Sequence, residues 1–98
     1  MLKNAEIKQI LKDHLDELHS LYAVSEIGIF GSCVRGEQTA QSDVDILVQF
    51  SKPVGFVAFM MLEKHLQELL GAKIDLVTRA ALKPRIGERI LKEVDYVQ

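Results

Sequence analysis

The 98-residue chain reads as an α/β domain on a small mixed sheet, and three observations lead there. Apolar residues at helical spacing run through 4–22, 54–70 and 85–94, and short β-branched runs at 26–30, 44–50 and 73–78 lie between them. Turn-forming residues mark the changeovers: Gly31-Ser32, Ser51-Lys52-Pro53, Gly71 and Pro84. Finally, aspartates open two of the apolar runs, Asp43 and Asp45 in one and Asp75 in the other. A chain of this length supplies one core, so residues 1–98 are expected to form a single domain.

The expected order is helix, strand, short helix, strand, helix, strand, helix. The first helix spans Asn4 to about Tyr22, with Ile7, Ile10, Leu11, Leu15, Leu18 and Leu21 as one buried stripe. In the strand Glu26 to Phe30, Ile27 and Ile29 point one way and Gly28 and Phe30 the other. The chain turns at Gly31-Ser32, leaving about one helical turn before Gly36 and a polar loop over 37–42. Val44 to Phe50 is β-branched and mostly apolar, as an interior strand should be. A helix over Val54 to Leu70 carries Phe56, Phe59, Met60, Leu66, Leu69 and Leu70 and stops at Gly71; the aromatic and methionine positions read as core. Lys73 to Thr78 is the third strand. Pro84 opens a last helix, Arg85 to about Val94, with Ile86, Ile90, Leu91 and Val94 inward.

Composition narrows the function classes. The 48% apolar and 27% charged residues are those of a globular protein. A net charge of −2 argues against a general nucleic-acid binder. A single cysteine, Cys33, excludes an intramolecular disulfide and reads as a packing residue in a reducing compartment. The N-terminal residues show no signal-peptide pattern, and the longest apolar run, Val54 to Leu62, is too short to span a bilayer, so a cytoplasmic protein without a membrane partner is expected. His14, His19 and His65 lie on polar helical faces and read as solvated.

The acids carry the chemistry. Residues i and i+2 of a strand share a face, so Asp43 and Asp45 project side by side. Two carboxylates about 6 Å apart at an effective dielectric near 20 repel by roughly 3 kcal/mol. A hard divalent ion such as Mg²⁺ relieves that repulsion and keeps sites open for phosphate and water. With Asp75 as a third carboxylate on a neighbouring strand, two metals can be held for an in-line phosphoryl or nucleotidyl displacement. Gly31 allows close backbone approach, Ser32 can cap the short helix and expose its N–H groups to an anion, and Arg35 can offer a planar fork to a phosphate. As a plain surface cation, Arg35 has an equally ordinary reading. If Ser32 and Asp43 meet one ligand, the first two strands must run antiparallel. Asp75 then requires the third strand to run parallel to the second, through a right-handed crossover.

The pattern Gly31-Ser32, ten residues, Asp43-Val44-Asp45, then Asp75 in a later strand resembles the nucleotidyltransferase superfamily that includes DNA polymerase β. The small size and the tail from Asp75 to Val97 are similar to the minimal nucleotidyltransferases, which in prokaryotes pair with HEPN-domain proteins. The resemblance implies a Mg²⁺-dependent transfer of AMP from ATP. In the antitoxin branch, of type VII toxin–antitoxin systems, the acceptor is a tyrosine of the HEPN toxin. It implies that Gly31 and Ser32, with Arg35, bind the nucleotide. Asp43, Asp45 and Asp75 would bind metal, with Asp75 also the general base. Two other classes stand beside this one: a transferase for a small-molecule acceptor, and a non-catalytic module that neutralises a partner by contact. The basic group Arg79, Lys83, Arg85, Arg89 and Lys92 reads either as a solvated face or as a patch toward the triphosphate or an acidic partner.

Overall fold

A four-stranded mixed sheet with five helices organises the chain; the computed structural model describes residues 2–37, 39 and 42–98. In chain order the elements are α1 (Asn4–Asp13), α2 (Leu15–Tyr22), β1 (Val24–Phe30), α3 (Ser32–Arg35), β2 (Val44–Phe50), α4 (Phe56–Leu70), β3 (Ile74–Thr78), a single 3₁₀ turn (Arg79–Ala81), α5 (Pro84–Glu93) and β4 (Asp95–Tyr96). The strands lie in the order β3-β2-β1-β4. β1 and β2 are antiparallel and β2 and β3 parallel, as the shared-site argument requires. The expected loop over 37–42 falls partly outside the described residues.

Alternation along the strands sets the two faces. Ile27 and Ile29 of β1 and Ile46 and Val48 of β2 share one face and pack with Ile7, Leu11, Leu18, Leu62 and Leu66 from α1, α2 and α4 in a single cluster. Phe30 and Leu47 are buried on the other face, outside that cluster, where Asp45 and Asp75 also lie.

Several expectations change. The first helix is two, because His14 leaves helical geometry (φ −112°, ψ 9°) while its N–H still donates to the Leu11 carbonyl at 3.1 Å. The apolar spacing continues through this kink, so periodicity alone does not reveal it. Leu21, on the expected stripe, is 66% exposed. Phe56 and Met60 are exposed too, because the face α4 turns to the core carries Leu62, Leu66 and Leu70, with Phe59 and Leu69 partly buried beside them. On α5, Ile86 and Leu91 are exposed and only Gly87 is buried. His65 is no solvated surface group: its Nε2 meets Glu17 Oε2 at 2.6 Å, tying α4 to α2, and its ring lies 5.4 Å from that of Tyr22.

The strand β4 was not expected. It is two residues long, too short for any periodic pattern, and exists because β1 leaves room for it. Gly28 pairs with Tyr96, and a Cβ on Gly28 would sit 2.7 Å from Val94 Cγ2. The Val97 N–H donates to the Ile27 carbonyl at 2.9 Å, and Asp95 accepts from Lys8 Nζ at 2.9 Å and Asn4 Nδ2 at 3.2 Å. Lys8 first, then Asn4, hold the Asp95 carboxyl below its ordinary range. Among the described residues, no helix is long and apolar enough to cross a membrane.

Candidate active site

The end of β1, the start of β2 and the start of β3 meet on the second face. Antiparallel register places Phe30 opposite Asp45, and parallel register places Asp45 beside Asp75. The chain leaves β1 at Gly31 with φ 78° and ψ −149°, a region that side-chain-bearing residues avoid. A Cβ at Gly31 would overlap the Asp45 carboxylate oxygen. Glycine is therefore required twice, by backbone conformation and by the carboxylate lying against it. Gly31 also caps α3: its carbonyl accepts from the N–H groups of Val34 and Arg35 at 3.1 and 3.2 Å. Ser32 is not the cap expected of it. It is the first helical residue, Gly31 occupies the cap position, and no side chain makes a capping bond there.

Two of the three expected acids come together. Burial raises the Asp45 pKa to about 6, and the charge of Asp75, a hydrogen bond shared with it, and the charge of Asp43 add to the rise. Arg35 opposes them weakly. Asp75 is exposed beside Asp45, and Asp43, exposed just before β2, acts on Asp45 through its charge. Among the described residues no three His, Cys, Asp or Glu groups are already gathered as a metal-ligand set. The Asp45–Asp75 pair nevertheless fits a hard divalent cation. Its donors are all oxygen, it is open on one side, and it resists carrying its full negative charge without a counter-ion. Cys33 packs in the core beside the loop, as expected of it, and its thiol is pushed up by burial and by Asp45.

The wall of the site comes from a helix in which the sequence marked an apolar stripe and a basic group but no site residue. A cavity of about 240 Å³ is lined by Phe30, Gly31, Arg35 and Asp45 on the sheet side and by Ile86, Arg89, Ile90 and Glu93 of α5. Arg35 reaches Glu93 Oε1 at 2.6 Å and Glu37 Oε2 at 3.3 Å, so it both lines the site and clasps α5. Glu93 went unmarked in the sequence. Its signal is the spacing 86, 89, 90, 93, one face of a helix, with an acid closing it. A larger cavity of about 840 Å³ lies at the far ends of β2 and β3, between Val48 and Phe59 on one side and Thr78 to Ala80 on the other. It is lined by no acid and by none of the residues above.

Comparison with known proteins agrees with this geometry. The protein adenylyltransferase MntA of Thermococcus cleftensis is 47% identical over 97 residues, covering 99% of this chain and 98% of that one. A solved structure described as a minimal nucleotidyltransferase superposes with a TM-score of 0.80 at 28% identity, covering 96% of this chain and 95% of the other. An MNT antitoxin in complex with the tri-AMPylated HEPN toxin of Shewanella oneidensis shares the fold, with a TM-score of 0.66 at 18% identity over 93% of this chain and 71% of that one. The family model for the nucleotidyltransferase domain matches residues 9–97. With nearly the whole chain inside that match, and an aspartate pair set against a glycine turn on its sheet, this protein belongs to the nucleotidyltransferase domain family.

Proposed function

We propose that this protein is a Mg²⁺-dependent protein adenylyltransferase. It transfers AMP from ATP to a tyrosine hydroxyl of a HEPN-domain toxin and so acts as its cytoplasmic antitoxin, with residues 1–98 as one domain. The observation that carries the reading is the in-register Asp45–Asp75 pair packed against the Gly31 turn. That arrangement would place a cation and a polyphosphate side by side.

In this reading Gly31 lets the backbone approach the polyphosphate, while the Ser32 hydroxyl and the Arg35 guanidinium bind its oxygens. Asp43, Asp45 and Asp75 would hold Mg²⁺, two ions in this reading. When bound, the metal supplies charge neutralisation on the phosphates and lowers the pKa of the attacking hydroxyl. Asp75, the exposed member of the pair, takes the acceptor proton. As the tyrosine oxygen bonds to the α-phosphorus, the bond to pyrophosphate breaks and the hydroxyl proton passes to the Asp75 carboxylate. The name of the Thermococcus cleftensis relative supports a protein acceptor, and the fold shared with the HEPN-bound antitoxin supports that class of partner.

The test is transfer of label from α-³²P-ATP with Mg²⁺, with and without the HEPN-domain partner, for wild type and Asp43→Asn. The expected result is label on the partner with wild type only, the variant losing at least about 100-fold. Complex formation without any labelled protein would sink the catalytic reading and leave a contact-only module. Label on an added small molecule, and none on the partner, would replace the acceptor.

A further inference from the structure

We infer that Arg89 is a polyphosphate-binding residue, holding the nucleotide from the α5 side of the pocket; the inference rests on the nucleotidyltransferase reading above. The five basic residues of the C-terminal third, alike in the sequence, separate in space. Arg79 lines the far cavity, while Arg89 alone of the five lines the pocket that holds Asp45 and Gly31. Helix geometry produces the separation. Ile86, Arg89, Ile90 and Glu93 fall on one face of α5, and Lys92, one residue before Glu93, points elsewhere.

The second reason is electrostatic. The pocket's other cation, Arg35, is already paired with Glu93 and Glu37, two carboxylates for one guanidinium. Arg89, which shares the pocket with Arg35 and Glu93, makes no ion pair or hydrogen bond among the described residues. Asp45 lines the same pocket, and Asp75 and Asp43 act on it through their charges; without cations these acids repel a triphosphate. A guanidinium facing that cavity offers a planar fork of donors to phosphate oxygens. The third reason is Ile86. It is 58% exposed although it lines the cavity, and with Ile90 and Phe30 it forms an apolar wall that a nucleoside ring covers. Polyphosphate at Arg89 and ring against Ile86 are the two halves of one ligand.

The experiment is calorimetric binding of ATP, ADP, AMP and adenosine in Mg²⁺ to wild type, Arg89→Ala, Arg89→Lys and, as a control on the same helix, Lys92→Ala. Losing a charge-assisted phosphate contact lowers ATP and ADP affinity by about 10- to 100-fold, with little change for adenosine. Arg89→Lys recovers part of the loss, Lys92→Ala binds as wild type, and KM for ATP in the label-transfer assay rises with Arg89→Ala more than kcat falls. A merely structural role predicts equal losses for all four ligands together with a lower Tm, and that result would overturn the inference. So would ATP affinity of Arg89→Ala within about twofold of wild type. Wild type that binds no ATP removes the parent reading and this role together; wild-type binding with an indifferent Arg89→Ala removes this role alone.

Discussion

At Asp45 a carboxylate is held where its surroundings resist its charge: burial first, then Asp75, then Asp43. Its folded pKa, about 6, lies above its ordinary 3.8, so ionisation weighs against the folded state. The associated stability is complete below pH ~4 and is lost as pH rises through the folded pKa. A shift of that size corresponds to about 3 kcal/mol at the limit. Because the group is only partly buried, water screens it, and about 1 kcal/mol is the reasonable expectation. In metal-free protein, wild type should therefore lose about 1 kcal/mol relative to Asp45→Asn between about pH 4 and 7, seen as a Tm difference that widens by roughly 4–8 °C. Added Mg²⁺ should close most of the gap, because a cation stabilises the ionised pair. Melting curves for the two proteins that run parallel across this range, with no response to Mg²⁺, would show that the pair is not a charged site.

At the scale of the element, the two-residue strand β4 is the piece most dependent on its neighbours. It has only Gly28 and Ile29 as ladder partners, with Lys8 and Asn4 anchoring Asp95 from α1. Introducing a methyl by Gly28→Ala forces Val94 and Tyr96 outward, an overpacking change of about 1–3 kcal/mol. The expected readout is a Tm lowered by roughly 4–8 °C per kcal/mol, with faster hydrogen exchange at the Val97 N–H. An unchanged Tm and unchanged protection at Val97 would mean that β4 bears no stabilising contact with β1. Since β4 follows α5 directly, loosening it also frees the helix that walls the site.

For the molecule as a whole, the sheet divides stability from chemistry. One face carries the continuous core under α1, α2 and α4; the other carries Asp45, Asp75 and the pocket under α5. Helix α4 joins the core through the buried Leu62, Leu66 and Leu70, with Phe59 and Leu69 packed partly buried beside them, and its outward residues Phe56, Val57, Met60 and Met61 contribute apolar surface without burial. Leu66→Ala should therefore destabilise by about 2–5 kcal/mol. Met61→Lys, five residues earlier on the same helix, should stay within about 0.5 kcal/mol of wild type. Chemical denaturation of both variants measures the contrast. A Met61→Lys loss comparable to that of Leu66→Ala would place the core on the wrong side of α4.

Read by itself, the sequence determined the order of the main elements and the directions of three strands, and it singled out the acids that the proposed site is built on. Those features are local: alternation, helical spacing, turn residues, and acids placed at strand starts. The antiparallel β1–β2 and parallel β2–β3 pairings follow from requiring Ser32, Asp43 and Asp75 to share one ligand, and the register sets Phe30 opposite Asp45 and Asp45 beside Asp75. Tertiary structure decided the rest. The kink at His14 keeps the apolar spacing on both sides, so spacing cannot announce it. Strand β4 depends on the missing side chain of Gly28, and the exposure of Phe56, Met60 and Ile86 depends on which stripe meets a neighbour. Arg35 and Arg89 were equivalent as cations in a list of residues. Only packing set Glu93 against one and left the other facing the pocket, because pairing depends on distances that span 58 residues of chain.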